Sequence, residues 1–234
     1  MSAGSVVAAR LEHQQAGGGA IPTPALQDLL VRPIPFTAAK AIIVRHHYLH
    51  SLPGGTQFAF GVFLDGRLLG AVTLGVGPVN AYRLVRGAAS RDCLTLTRLW
   101  LSDELPSNSE SRVLGVLLRS LCRHTTMKFM VSYADPSQGH LGTIYQATGW
   151  LYTGLSDATP LFDCGDGVPR HSRTLSNAFG THSVSYFQRK GFKATTIPQA
   201  AKHRYIYFLY PTWQPRLVAP VLPYPKKESI HEDR

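Results

Sequence analysis

Cysteine is scarce: three residues, Cys93, Cys122 and Cys164, lie far apart with no CxxC pair. That argues against a disulfide framework and a cysteine-type zinc site, and it fits a reducing compartment. No run approaches the roughly 18 to 20 apolar residues of a membrane-spanning helix. The N-terminus also lacks the basic-then-apolar pattern of a secretory leader. A soluble, cytoplasmic protein is the expectation. Neither GxxxxGKS nor GxGxxG occurs, so no nucleotide P-loop or dinucleotide turn is supported. Acidic residues are few as well: 14 Asp and Glu against 24 Lys and Arg, a formal net charge of +10. That imbalance points to an anionic partner, either nucleic acid or an acidic cofactor or both.

What is present suffices for one folded domain, with 234 residues of which 44% are hydrophobic. Residues 1–28 carry a GGG run and weak periodicity, and read as a flexible lead-in. Residues 29–212 read as the folded domain, and the proline-punctuated residues 213–234 as an extended arm lying over it. PFTAAKAIIVRHHY is helical, opened by a capping-type Thr37. FAFGVFLDGRLLGAVTLG is a hairpin turned at Asp65-Gly66. CLTLTRLWLS is a strand, followed by a polar loop and the helix RVLGVLLRSLCRH, capped by Ser109 or Ser111. KFMVSYAD, WLYTGLS and KHRYIYFLY read as strands, GTIYQATGW and HSVSYFQRKGF as helices. The sum is an α/β fold with a central mixed β-sheet flanked by helices.

Chemistry-bearing residues gather at strand ends. In SYADPSQGHLGTIYQATGW, Asp135 sits at the carboxyl end of a strand, where open α/β sheets bind ligands. Tyr145 on the next helix is either a core aromatic or a cleft-facing acid, and His140 lies in the loop between. Arg98 inside an apolar strand needs a partner: a ligand, or an ion pair with Glu110 or Asp135. Asn108 and Ser111 at the following helix N-terminus are turn formers and caps, or they hold an anion. In RHHYLHS, His46 and His50 stand at i, i+4 as two metal ligands would, but the glutamate of HExxH is missing. Arg189, Lys190, Lys193, Lys202 and Arg204, interleaved with tyrosines and phenylalanines, suit phosphates and unstacked bases, or else form a solvated face.

LTRLWLSDELPSNSESRVLGVLLRSL, SYADPSQGHLGTIYQATGWLYTG, RHHYLHS and KHRYIYFLY together resemble the Mom family of phage DNA-modification proteins, from about Pro33 to Tyr210. The resemblance implies a GNAT-like fold across residues 29–212 and an enzyme that converts adenine N6 in double-stranded DNA to its carbamoylmethyl (acetamido) form. It implies protection of phage DNA from restriction, in the host cytoplasm. Carried over, it makes Asp135, Tyr145, Arg98, Ser111 and Tyr48 catalytic and Arg98, Asn108 and Ser111 donor-binding. His47, Arg189, Lys190, Arg204 and Tyr205 would then contact DNA. The donor would be of acyl type, acetyl-CoA or an aminoacyl donor. PSNSESR stands where the GNAT pyrophosphate loop has RxxGxG, which is a departure from ordinary CoA binding. The product also joins a CH2 to N6, where plain acyl transfer would give an N-acetyl group. Iron, a suggested cofactor of that family, would be sought at RHHYLH, with His46 and His50 as ligand candidates, together with Asp135. The alternatives are a GNAT-like acyl or aminoacyltransferase acting on protein, tRNA or a small amine, and a non-enzymatic DNA-binding protein.

Overall fold

The computed structural model describes residues 28–226, so the expected lead-in lies outside the described residues except for Asp28. Alternating apolar residues build a seven-stranded sheet in the order β1-β2-β3-β4-β5-β10-β6. The strands are β1 (Leu30–Pro33), β2 (Thr56–Leu64), β3 (Arg67–Gly75), β4 (Cys93–Leu101), β5 (Phe129–Ala134), β6 (Leu151–Leu155) and β10 (His203–Phe208). The β2–β3 turn falls at Asp65 (φ 49°) and Gly66 (φ 76°), the left-handed pair that the Asp-Gly signal predicts. The expected class, a central mixed sheet flanked by helices, is the one the chain adopts.

Helices cover both faces. α2 (Ser109–His124) buries Val113, Leu114, Leu117, Leu118 and Leu121, one stripe at helical spacing, against the apolar residues of β2, β3 and β4. Each such side chain contributes about 1.5–3 kcal/mol when fully buried. On the other face α1 (Phe36–His46) sets Ala39 and Ile43 against Ala59 and Ala71, small residues that let the helix come close. α3 (Thr143–Ala147) follows β5.

Among the described residues only β4 and β5 run parallel, and their pairing stops at Thr95 opposite Val131. β4 continues beside β3 to Leu101 and β5 runs on to Ala134, so the two strands part. Within β4 the register with β3 skips Thr97, a bulge that turns the following residues.

Between β6 and β10 the chain builds a second sheet, β8-β7-β9, from β7 (Leu161–Asp163), β8 (Arg170–His171) and β9 (Thr195–Ile197). With α4 (Ser172–Phe179) and α5 (Val184–Arg189) it encloses its own small core of Phe162, Leu175, Phe187 and Ala194. Sequence reading finds only α5 in this stretch.

Two helix caps differ from expectation. The cap position of α1 is Pro35, which has no side-chain cap, and Thr37 lies inside the helix. The cap of α2 is Asn108 in the left-handed region (φ 66°). Ser109 Oγ and Ser111 Oγ turn back to the Pro106 and Asn108 carbonyls at 2.6 and 2.9 Å instead of capping. Residues 213–226 run across the body: Val218 N donates to the Leu84 carbonyl, Leu222 N to that of Tyr152, and the Tyr224 hydroxyl to that of Trp150.

Candidate functional site

Asp135 is the first residue beyond β5 and is 7% exposed. Its Oδ1 accepts from Ser137 N at 3.0 Å and Ser137 Oγ at 2.6 Å, and its Oδ2 pairs with Lys202 Nζ at 2.9 Å. Burial opposes its charge, but the hydrogen bonds from Ser137 and Lys202 outweigh burial and hold the carboxyl below the usual carboxylate range.

α1 ends beside this carboxylate. His47 is buried, and its Nδ1 accepts from Leu49 N at 3.1 Å, which leaves the ring proton on Nε2. Burial first, then Arg98, His140 and His50, lower its pKa to about 4, so the ring is neutral near pH 7. Tyr48 stacks on His47 at 4.4 Å between ring centroids and meets His140 edge-on at 5.8 Å. Burial and the Asp135 charge raise the Tyr48 phenol, against Arg98. His140 thus faces this cluster from the Asp135 loop.

Arg98 forms neither of the ion pairs its sequence context allows. Its Nε donates to the Ser51 carbonyl at 3.0 Å and its Nη1 to that of Thr97 at 2.7 Å, inside the bulge. Tyr145 is 8% exposed and packs on Trp150 and Tyr205. Its hydroxyl lies 2.8 Å from Ser132 Oγ, which is 3.4 Å from the Leu96 carbonyl across the gap between β5 and β4. Burial pushes the phenol up to about 12 despite the Ser132 bond. Asp135, Tyr48, His47 and Arg98 therefore form one cluster, with Tyr145 behind the parting of the strands. At that parting Thr95 Oγ1 is buried without a partner.

Other expected site residues lie elsewhere. Ser111 and Asn108 sit at the start of α2, where Glu110 already occupies the first turn and disfavours a bound anion. Tyr205 is fully buried, and its hydroxyl is held by the Leu141 carbonyl, so its ring belongs to the core and cannot stack on a base. Arg204 donates to Thr153 Oγ1 at 2.9 Å and to the Thr153 carbonyl at 3.0 Å. Arg189 and Lys190 are exposed at the end of α5. His46 and His50 do not share a face, because α1 ends at His46 and His50 turns back at φ 43°. The His46 ring stacks on Trp100 and His50 Nδ1 lies 3.0 Å from the Val44 carbonyl. Among the described residues no three His, Cys, Asp or Glu side chains gather as metal ligands. RHHYLHS does not fit the expected iron.

Lys202 was legible only as one cation of a basic run, and its pairing with Asp135 had no local signal. His171 of the second sheet was not singled out by sequence, yet its pKa is lowered by burial and then by Lys202, Arg98 and Arg173. No helix of the described residues is long and apolar enough to cross a membrane.

Among solved structures, an N-acetyltransferase from Staphylococcus aureus Mu50 is 9% identical, covering 77% of this chain and 97% of its own, with a TM-score of 0.42. A chimera of the Vibrio cholerae spermidine N-acetyltransferase SpeG and hSSAT is 7% identical, covering 78% and 96%, with a TM-score of 0.46. The methylcarbamoylase mom of Escherichia phage Mu is 28% identical over 206 residues, 86% of this chain and 85% of that protein. The sequence model of the Mom protein family matches residues 28–226, which take in Tyr48, Arg98, Asp135 and Tyr145, and the chain belongs to that family.

Proposed function

We propose that this chain is a DNA-modifying transferase that acts on adenine N6 in duplex DNA and leaves the carbamoylmethyl form. The observation that carries the reading is the Asp135 carboxylate, held charged at a strand end beside the Tyr48 and His140 rings. Membership of the Mom family and likeness to a methylcarbamoylase support it.

N6 of a paired adenine is inside the duplex, so the base must leave the stack. Tyr48, 39% exposed, offers a ring face to the extruded base. Asp135 then accepts an N6–H bond, which raises electron density on an amine that is otherwise a weak nucleophile, and it takes the proton as N6 bonds to the donor carbonyl carbon and that carbon's bond to its thiol or alcohol breaks. His47 presents Nε2–H as a neutral donor. Arg98, with Nε and Nη1 committed to carbonyls, keeps Nη2 for an oxygen of the donor.

An acyl-type donor, acetyl-CoA or an aminoacyl conjugate, enters where β4 and β5 part. A two-carbon aminoacyl donor brings the CH2, carbonyl and nitrogen of the carbamoylmethyl group, and rearrangement of its acyl product gives that form without an oxidant, whereas acetyl-CoA lacks the nitrogen. The Ser132 hydroxyl has one proton and two acceptors there. When it donates to the Leu96 carbonyl, Tyr145 donates to Ser132 in turn, and with its phenol raised to about 12 Tyr145 stays protonated near neutral pH. Tyr145 thereby supplies the leaving-group proton through Ser132, whose hydroxyl turns from the Leu96 carbonyl to the leaving group as it takes the Tyr145 proton. Substituted N6 changes the donor pattern adenine presents in the major groove, so a restriction endonuclease reading that edge is blocked.

The test is nucleoside mass spectrometry of DNA from cells expressing the protein. Wild type is expected to yield modified deoxyadenosine, and Asp135→Ala to lower the yield by at least ~100-fold, the lower end of what acid–base groups contribute. Soluble wild-type protein with unmodified deoxyadenosine would overturn the reading.

A further inference from the structure

β10 and β5 run antiparallel with His203 opposite Ala134. One step further along the same register, Lys202 stands opposite Asp135, and the two side chains meet at 2.9 Å. Lys202 also closes the excursion that leaves the main sheet after β6 and forms the second sheet. Ser156, at the start of that excursion, holds its backbone on both sides. Lys202 N donates to Ser156 Oγ at 3.0 Å, and Ser156 N donates to the Lys202 carbonyl at 2.8 Å. The neck of the second sheet is thus tied shut, and the ammonium projects from the tie.

We propose that Lys202 is a positioning residue that fixes the Asp135 carboxylate in one rotamer facing the amine of the substrate base, an inference that rests on the transferase reading above. Ser137 grips Oδ1 through its amide and hydroxyl while Lys202 grips Oδ2, so the carboxylate is pinned from opposite sides. A carboxylate has about four lone-pair sites, and three donors leave room for one N6–H. A charge-assisted bond at this distance is shorter and stronger than a neutral one. The lysine side chain is 30% exposed, so its own loss of hydration is partial. Other titratable groups stand around the pair: the Tyr48 phenol senses the Asp135 charge and that of Arg98, the His140 ring meets Tyr48, and His171 of β8 senses Lys202 and Arg98. None of these four pairs with Asp135, whereas Lys202 meets its Oδ2 directly in an ion pair. The second sheet is therefore part of the site, since its closing residue sets the orientation of the group that receives the proton.

The experiment compares wild type, Lys202→Met and Lys202→Arg as full chains. Lys202→Met keeps an apolar stem and removes the charge, whereas Lys202→Arg restores a donor. In cells, Lys202→Met is expected to lower modified deoxyadenosine at least tenfold and Lys202→Arg to recover most of it. In purified protein, carbon NMR of the Asp135 carboxyl is expected to show titration at higher pH in Lys202→Met than in wild type, with Lys202→Arg near wild type. If Lys202→Met does not fold, Lys202→Gln takes its place. Wild-type yield from the uncharged variant, arginine no better than methionine, or an unmoved carboxyl titration would each overturn the proposal. Should wild type itself leave DNA unmodified, the transferase reading falls. The carboxyl titration alone then decides whether Lys202 holds Asp135.

Discussion

Keeping His47 neutral and buried ties the stability of the fold to pH. Its pKa is about 4 in the folded chain against 6.5 when free, so below pH 6.5 the unfolded chain takes up a proton that the folded one refuses. Stability from this group is therefore complete above pH 6.5, falls as pH drops toward 4, and by linkage loses roughly 3 kcal/mol across that window. His171 and His203, both also lowered, add to the loss in the same direction. Asp135, held below its usual range, adds its own loss only at lower pH, as it protonates. Thermal melts from pH 7 to 4 should fall steeply in wild type and less so in His47→Gln. Equal slopes would mean that His47 is not the group being charged. Tyr145→Phe separates a hydroxyl from a ring: the aromatic packing on Trp150 and Tyr205 remains, and Ser132 keeps the Leu96 carbonyl. The melting temperature should fall by no more than about 1 kcal/mol implies, while DNA modification is lost. A variant that modifies DNA normally would assign Tyr145 to the core alone.

At the scale of elements, the start of α3 shows why some of the fold was legible and some not. Gly142 caps that helix at φ 77°, and a Cβ there would lie 2.3 Å from the Tyr205 ring. GHLGTIYQATGW signals a loop entering a short helix, but only the folded sheet reveals that Tyr205 presses on the glycine. Gly142→Ala should destabilise the protein by about 1–3 kcal/mol, from left-handed strain plus displacement of a buried ring, read as an earlier thermal transition. An unchanged transition would mean the ring yields freely. The hairpin at Asp65-Gly66, the stripe of α2 and the strands of the main sheet each carry a local pattern long enough to read. β7, β8 and β9 span two or three residues each, too short for any alternation, so the second sheet was invisible apart from α5. α1 was read through Tyr48, yet it stops at His46 because His47 adopts extended backbone and buries its ring. Asp135 and Arg98 announced themselves by being polar within or at the end of apolar strands. Lys202 could not, because its partner lies 67 positions away and only the β5–β10 register brings them together.

For the whole molecule, the decisive feature is where the positive charge sits. Between Gly167 and Lys226 there are nine Lys and Arg and no Asp or Glu, so nearly all of the net charge of +10 comes from this one stretch. Several of these cations are already engaged. Arg170 pairs with Asp166, Lys202 with Asp135, Arg204 with Thr153, and Arg216 lies over the Trp213 ring. Arg189, Lys190 and Lys193 are exposed around the end of α5, on the same second sheet whose neck delivers Lys202 to the site. A duplex gripped there would have its backbone held by the module that also orients the acceptor carboxylate. Each phosphate contact contributes about 0.9 to the slope of log affinity against log salt for B-DNA. Changing Arg189, Lys190 and Lys193 together to glutamine should therefore flatten that slope by roughly 2 to 3 and weaken duplex binding alike for all sequences. Fluorescence anisotropy with a labelled duplex across a salt series makes the measurement. A slope equal to wild type would move the DNA off the second sheet and onto some other face. The Asp135 cluster would then have to reach its base without that grip.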